Sequence, residues 1–236
     1  MRRYLQGTLD YACGIYAVIN AVACVHDLRL PEARKIFNAT MEDFATRPAP
    51  WAAFIRNRTD HYWVIRYMLR RWCLREPCGL EISRPGGFAA PISDADLEPG
   101  GDTVYLPERC PPRGPKNPGD QPGALSDTAR REVEAVRRAL RDALKGGTAS
   151  GKAVLVRFHR FLPDSGAVPL VSHWTSIRSA DAGTLYLHDA SAEKKAVHAV
   201  KFDDLLPEKG MPALRIVPES LYMITLPSSA VFLETH

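Results

Sequence analysis

The sequence predicts an α+β domain, because helical patterns fill its first half and strand patterns its second. Residues 13–26 are apolar nearly all round, which at this length indicates a helix buried on most sides. After residue 152 the chain has strand composition, with a turn signal at residues 181–183 between two strand patterns. We therefore expect a helical N-terminal lobe with a central helix starting at Cys13, and a C-terminal lobe built on an antiparallel sheet. A ligand would bind in the cleft between the lobes.

Three further segments have the pattern of amphipathic helices. Residues 31–45 begin with Pro31, which suits the first turn of a helix, and residues 60–73 carry an apolar stripe at helical spacing. Another helix is expected from about residue 127 to residue 145, where two glycines end it. The first hundred residues are thus predicted to be mostly helical.

Roughly five strands are expected in the C-terminal part of the chain. Their patterns cover residues 152–161, 172–178, 184–190, 196–202 and 220–226. We interpret residues 1–236 as one domain, with a helical lobe at about 1–106 and a helix-plus-sheet lobe at about 128–227. Between the lobes, residues 107–127 contain six prolines and three glycines, which predicts an irregular surface segment that covers the cleft or is cleaved on activation.

Composition narrows the class of protein. The chain has 236 residues, 45% of them hydrophobic and 25% charged, values typical of a globular protein and not of a disordered, collagenous or coiled-coil one. The formal net charge of +4 is too small to predict nucleic acid or a membrane surface as partner. Neither a signal peptide nor an apolar run of about 18 residues is present, so we expect a cytoplasmic protein without a membrane span. Leaderless secretion as an effector stays open.

The five cysteines predict free thiols, because their number is odd and their spacing is irregular. Cys13 differs from the others in opening the buried helix, where the helix dipole and unpaired backbone N–H groups favour a thiolate. Gly14 leaves the backbone beside the sulfur open to a substrate. Cys13 is therefore a candidate nucleophile, and the other four cysteines are expected to be buried or incidental.

A thiol nucleophile needs a base and a group that orients the base. His173 begins one strand pattern, and Asp189 lies near the far end of the next. Folding the chain about residues 181–183 brings these two positions within one or two places of cross-strand register. Gln6 precedes Cys13 by seven residues and could offer its side-chain amide as a donor to an oxyanion.

These residues resemble the papain-like cysteine peptidases, and within that group most closely the bacteriocin-processing (double-glycine) peptidase branch. The likeness rests on residues 4–24 and 171–192, through Gln6, Asp10, Tyr11, Ala12, Cys13, Gly14, Ala17, Asn20, His173 and Asp189. It implies a papain-like fold with Cys13 as nucleophile, His173 as general base and acid, and Asp189 as its orienting group. Gln6 would then line the oxyanion hole, and no cofactor is implied.

Asn20 and Trp174 are given structural roles. We expect Asn20, two turns after Cys13 on the helix, to be a buried structural amide, and Trp174 to pack in the core. Residues 27–150 carry no part of the likeness.

The sequence thus predicts a papain-like cysteine hydrolase that cleaves a peptide or isopeptide bond of a protein or peptide substrate through a thioacyl intermediate. The same triad would also serve side-chain deamidation, in which water resolves the intermediate, or transamidation, in which an amine does. A domain retained only for binding is a further alternative.

The sequence predicts neither a metal site nor a nucleic-acid interface. Four residues separate Cys73 from Cys78, and three histidines lie in the strand region, but no second pair at zinc-finger spacing accompanies them, so no metal is expected. The histidines are His159, His188 and His198. A basic group at helical spacing lacks an aromatic stacking pattern and is interpreted as a solvated face, so no nucleic acid is expected. It consists of Arg66, Arg70, Arg71 and Arg75.

Overall fold

The structure is a computed structural model that describes residues 3–5, 12–46, 51, 62–73, 79–85, 127–145, 151–160, 171–191, 197–205 and 214–227. Three of the residues predicted above to carry a site, Cys13, His173 and Asp189, are among them. Gln6 lies outside the described residues, and so do residues 107–126 of the proline-rich segment.

In the described residues of the N-terminal part, three helices of seven or more residues lie close to the predicted positions. Helix α1 spans Cys13–Val25 and begins at the candidate nucleophile, and α2 spans Leu30–Ala45. The start of α2 is stabilised by the Glu32 carboxylate, which accepts the backbone N–H of Arg29 at 2.6 Å. Helix α3 spans Tyr62–Met68 and continues into a π-helical turn, Leu69–Cys73, which its periodicity did not indicate.

The described residues of the C-terminal part contribute one long helix, a short helical turn, a 3-10 turn at Pro218–Ser220 and most of an antiparallel sheet. Helix α4 spans Asp127–Ala143 and α5 spans Phe202–Leu205. The strands are β1 Glu81–Ser83, β2 Lys152–Arg160, β3 Val171–Ala180, β4 Thr184–Leu187, β5 Ala199–Lys201, β6 Leu214–Ile216 and β7 Tyr222–Thr225. Their order is β1-β7-β2-β3-β4-β5, and β6 also pairs with β2.

Two of these strands correct the sequence prediction. The structure describes seven strands where roughly five were expected, and β1 lies in the part predicted to be mostly helical. Both β1 and β6 have three residues, which is too short for the alternation of apolar and polar residues to be recognised. They form because β7 and β2 present unpaired backbone groups to them.

The sheet is packed with helices on both faces, which fits the predicted α+β class. Alternate residues of a strand point to opposite faces, so a single strand serves two cores. In β2, Ala153 and Leu155 contribute to the core under α1, α2 and α3, whereas Val154 and Val156 contribute to the core under α4 and α5. Within the described part of the chain, no helix is long and apolar enough to cross a membrane.

The N-terminal segment is fastened to α1 by Asn20. The Asn20 side chain is fully buried, accepts the backbone N–H of Tyr4 at 2.8 Å and donates to the Tyr4 carbonyl at 3.0 Å. The Tyr4 hydroxyl donates to the carbonyl of Leu28 at 2.8 Å. Asn20 is thus a buried structural amide, as expected, and it holds Tyr4 against the central helix.

Candidate active site

The β3–β4 hairpin is closed by Asp181. Its Oδ1 accepts the backbone N–H groups of Gly183 at 2.8 Å and Thr184 at 2.7 Å, which satisfies donors that the turn leaves without sheet partners. The turn therefore lies at residues 181–183, where the sequence predicts it. The turn sets the register in which β3 and β4 pair.

The hairpin brings His173 and Asp189 together. Ile177 pairs with Leu187, and the same register continued along the chain places Asp189 opposite Thr175, two residues from His173. The His173 side chain covers that offset, and its Nε2 lies 2.8 Å from Asp189 Oδ1. The predicted cross-strand proximity is therefore present.

Asp189 is a buried carboxylate held by three donors. It is 1% exposed, and besides His173 it accepts the backbone N–H of Ser191 on Oδ1 at 2.9 Å and that of Val197 on Oδ2 at 2.8 Å. Burial would raise the pKa of this carboxyl, but the hydrogen bond and charge of His173 and the two backbone donors lower the pKa to about 2. Asp189 is therefore ionised at every physiological pH.

His173 connects the carboxylate to the thiol. His173 is 8% exposed, its ring packs edge-on against Phe158 with ring centroids 5.4 Å apart, and it hydrogen-bonds with both Asp189 and Cys13. Because Nε2 is directed at Asp189, Nδ1 is the ring nitrogen left for the thiol. Burial opposes the charged form, but the hydrogen bonds and charges of Asp189 and Cys13 raise the pKa of His173 to about 10, so the ring is an imidazolium at neutral pH.

Cys13 lies at the first position of α1 and is partly exposed, whereas Cys24 and Cys73 are buried. The first turn of α1 contains no acidic residue that would oppose a thiolate. The α1 helix packs most extensively on β3, the strand that carries His173. Among the described cysteines, Cys13 thus combines solvent access, a helix N-terminus and an imidazolium neighbour.

Ser191 was missed by the sequence analysis. Its Oγ lies 3.2 Å from His173 Nε2, so it shares the ring nitrogen with Asp189, and its backbone N–H binds the Asp189 carboxylate. A signal for the backbone contact was available, because an aspartate often accepts the N–H of the residue two places on. The hydroxyl contact with His173 depends on tertiary structure.

The remaining candidate residues lie elsewhere. Cys24 and Cys73 are buried as expected, but Cys24 has a histidine partner, with Sγ 3.3 Å from His188 Nδ1. His198 Nδ1 lies 2.8 Å from an Arg3 guanidinium nitrogen. In the described ranges, no group of three or more His, Cys, Asp or Glu side chains could hold a metal ion. Trp174 is 2% exposed and packs edge-on against Tyr62, as expected of a core residue.

Comparison of the chain with protein-family models, with curated proteins and with solved structures gives no match. An interpretation of this site therefore depends on its geometry and chemistry.

Proposed function

We propose that the protein is a papain-like cysteine hydrolase that cleaves a peptide or isopeptide bond. The observation that carries the proposal is the position of His173, whose imidazole hydrogen-bonds to the Asp189 carboxylate on one side and to Cys13 at a helix N-terminus on the other. A nucleophile, a base and an orienting carboxylate in this order are what acyl transfer through a thiol requires.

The resting state of the proposed site is a thiolate–imidazolium pair. Asp189 favours a proton on His173 Nε2, and the second proton of the ring, on Nδ1, has come from Cys13. The thiolate attacks the carbonyl carbon of the substrate and forms the C–S bond, while the carbonyl electron pair moves to oxygen. The backbone N–H of Cys13 and, as the resemblance implies, the Gln6 side chain would stabilise that oxyanion.

Collapse of the tetrahedral intermediate breaks the C–N bond, and His173 donates its Nδ1 proton to the leaving amine. The neutral imidazole then takes a proton from a water molecule that attacks the thioacyl carbon. The C–S bond breaks, the product acid leaves, and the thiolate–imidazolium pair is restored. Asp189 stays ionised throughout and holds the ring in the tautomer that both proton transfers need.

Selective alkylation tests the proposed nucleophile. The native protein is treated with iodoacetamide at pH 6, where ordinary thiols are protonated, and the modified cysteine is located by peptide mapping. We expect Cys13 to react faster than the other four cysteines and to lose this advantage in His173→Ala. Buried Cys24 and Cys73 serve as internal controls. Equal reactivity of all five cysteines, or an unchanged rate in His173→Ala, would contradict the proposal.

A peptide library treated with wild type and with Cys13→Ala tests the reaction. Hydrolysis of the main chain yields two shorter peptides in the wild-type sample alone. Deamidation leaves the peptide intact with one amide converted to an acid, and transamidation joins it to an added amine. Product masses therefore distinguish peptide cleavage from the two other outcomes of the same thioacyl intermediate.

A further inference from the structure

Helix α1 meets strand β3 and the segment after β4 through two cysteine–histidine pairs. Cys13 lies at its first turn and hydrogen-bonds with His173, and Cys24, near its other end, has its Sγ 3.3 Å from Nδ1 of His188. Eleven residues of an α-helix make about three turns, so the two cysteines lie on nearly the same face of α1. Helix α1 is thereby held to β3 near its start and to the segment after β4 near its end.

The two pairs differ in their chemistry. Cys24 is 8% exposed and His188 is 4% exposed. Burial raises the pKa of Cys24 to about 12, although the charge of Arg178 acts in the opposite direction. The Cys24 thiol therefore keeps its proton at neutral pH and shares a hydrogen bond with His188 Nδ1. A protonated, buried thiol is a poor nucleophile, but it can take part in a hydrogen bond.

His188 is directly bonded along the chain to Asp189, the carboxylate of the proposed site. The backbone N–H of His188 donates to the carbonyl of Ser176 on β3 at 2.7 Å, so the segment that carries Asp189 is held to β3 by its backbone. The His188 side chain holds the same segment to α1 through Cys24. Since α1 also carries Cys13, the Cys24–His188 bond connects the nucleophile's helix to the carboxylate's segment.

We propose that Cys24 and His188 are positioning residues whose hydrogen bond sets α1 against the segment after β4, and so sets Cys13 against the His173–Asp189 pair. The inference rests on the proposed function, because positioning has meaning only where Cys13 reacts. Thiol and imidazole must lie within hydrogen-bond distance for proton transfer, and a misplacement of about 1 Å can lower a rate by about 100-fold. A displacement of α1 smaller than about 1 Å is expected to lower the rate by less than about 100-fold.

The test measures the alkylation rate of Cys13 between pH 5 and pH 10 in variants of position 24. Cys24→Ala removes the hydrogen-bonding group, Cys24→Val removes it while filling the space, and Cys24→Ser keeps a group that can donate or accept. Cys73→Ala is the matched control, because Cys73 is fully buried in the core that contains Cys24 but lies on the π-helical turn. We expect Cys24→Ala and Cys24→Val to lower the rate at pH 6 by roughly tenfold and to move the profile to higher pH. Cys24→Ser should restore most of the rate.

A structural role alone would give a different pattern. If Cys24→Ala and Cys73→Ala have the same pH profile, or if folded Cys24→Val keeps the wild-type profile, the positioning role is wrong while the proposed function stands. Cys24→Ser is nearly isosteric and Cys24→Val leaves no cavity, so they decide the question even where Cys24→Ala does not fold. If wild-type Cys13 reacts no faster than the other cysteines, the proposed function and this inference are both overturned.

Discussion

Replacement of Asp189 by asparagine removes one charge and almost no volume. Three donors converge on the carboxylate, from the His173 ring and from the backbone of Ser191 and Val197. Asparagine has a single acceptor oxygen, so its NH₂ group must face at least one of these donors. A neutral group at this position also stops favouring a proton on His173 Nε2.

The expected size of the effect follows from the distance. Two unit charges about 4 Å apart attract each other by about 4 kcal/mol at an effective dielectric constant of about 20, which corresponds to about three pKa units. His173 Nε2 and Asp189 Oδ1 are 2.8 Å apart and both groups are buried, so the charge of Asp189 acts on the imidazolium at close to this range. We therefore expect the pKa of His173 in Asp189→Asn to be about one to three units lower than in wild type, so that the imidazolium loses its proton at a lower pH.

An NMR titration of the His173 ring between pH 5 and pH 11 measures this shift. The pKa of the imidazolium should fall from about 10 in wild type to about 7 to 9 in Asp189→Asn. Asp181→Asn is the matched control, because Asp181 is an exposed aspartate that also accepts backbone N–H groups, at the opposite end of the same hairpin. Circular dichroism confirms that each variant is folded. An unchanged pH profile in folded Asp189→Asn would refute the role given to Asp189.

The stability that wild type has over Asp189→Asn should depend on pH. This difference in the free energy of unfolding should be greatest between about pH 4 and pH 6.5, since the ordinary pKa values are 3.8 for Asp189 and 6.5 for His173. The difference should decrease toward pH 2 as Asp189 is protonated, and toward pH 10 as His173 loses its proton. Urea titrations that give the same difference at every pH would contradict this prediction. Asn20→Leu removes both hydrogen bonds to the Tyr4 backbone and should cost about 2–4 kcal/mol in the same titrations, whereas a loss below about 0.5 kcal/mol would contradict the fastening role. Leu140→Ala should cost about 2–5 kcal/mol because Leu140 is fully buried in the core under α4, yet it should leave the alkylation profile of Cys13 unchanged, since that core lies on the sheet face opposite α1.

Local patterns were sufficient for much of the fold and for part of the site. The start of α1 at Cys13 follows from a continuous apolar run, and the approach of His173 to Asp189 follows from a tight turn that sets strand register. Strands β1 and β6 could not be predicted in this way, because each depends on an edge supplied by a distant strand. The contact of Ser191 with His173 likewise depends on how the chain bends after β4.

The sequence by itself determined the α+β class, the helix that begins at Cys13 and the hairpin that joins His173 to Asp189. Each depends on residues close together along the chain, where periodicity and turn geometry leave few alternatives. Only the tertiary structure decided which thiol meets which imidazole. Cys24 and His188 are 164 residues apart, and they meet because α1 lies along β3 in one direction and at one rotation about its axis. Packing of the whole core sets that placement, and burial then keeps the proton on Cys24.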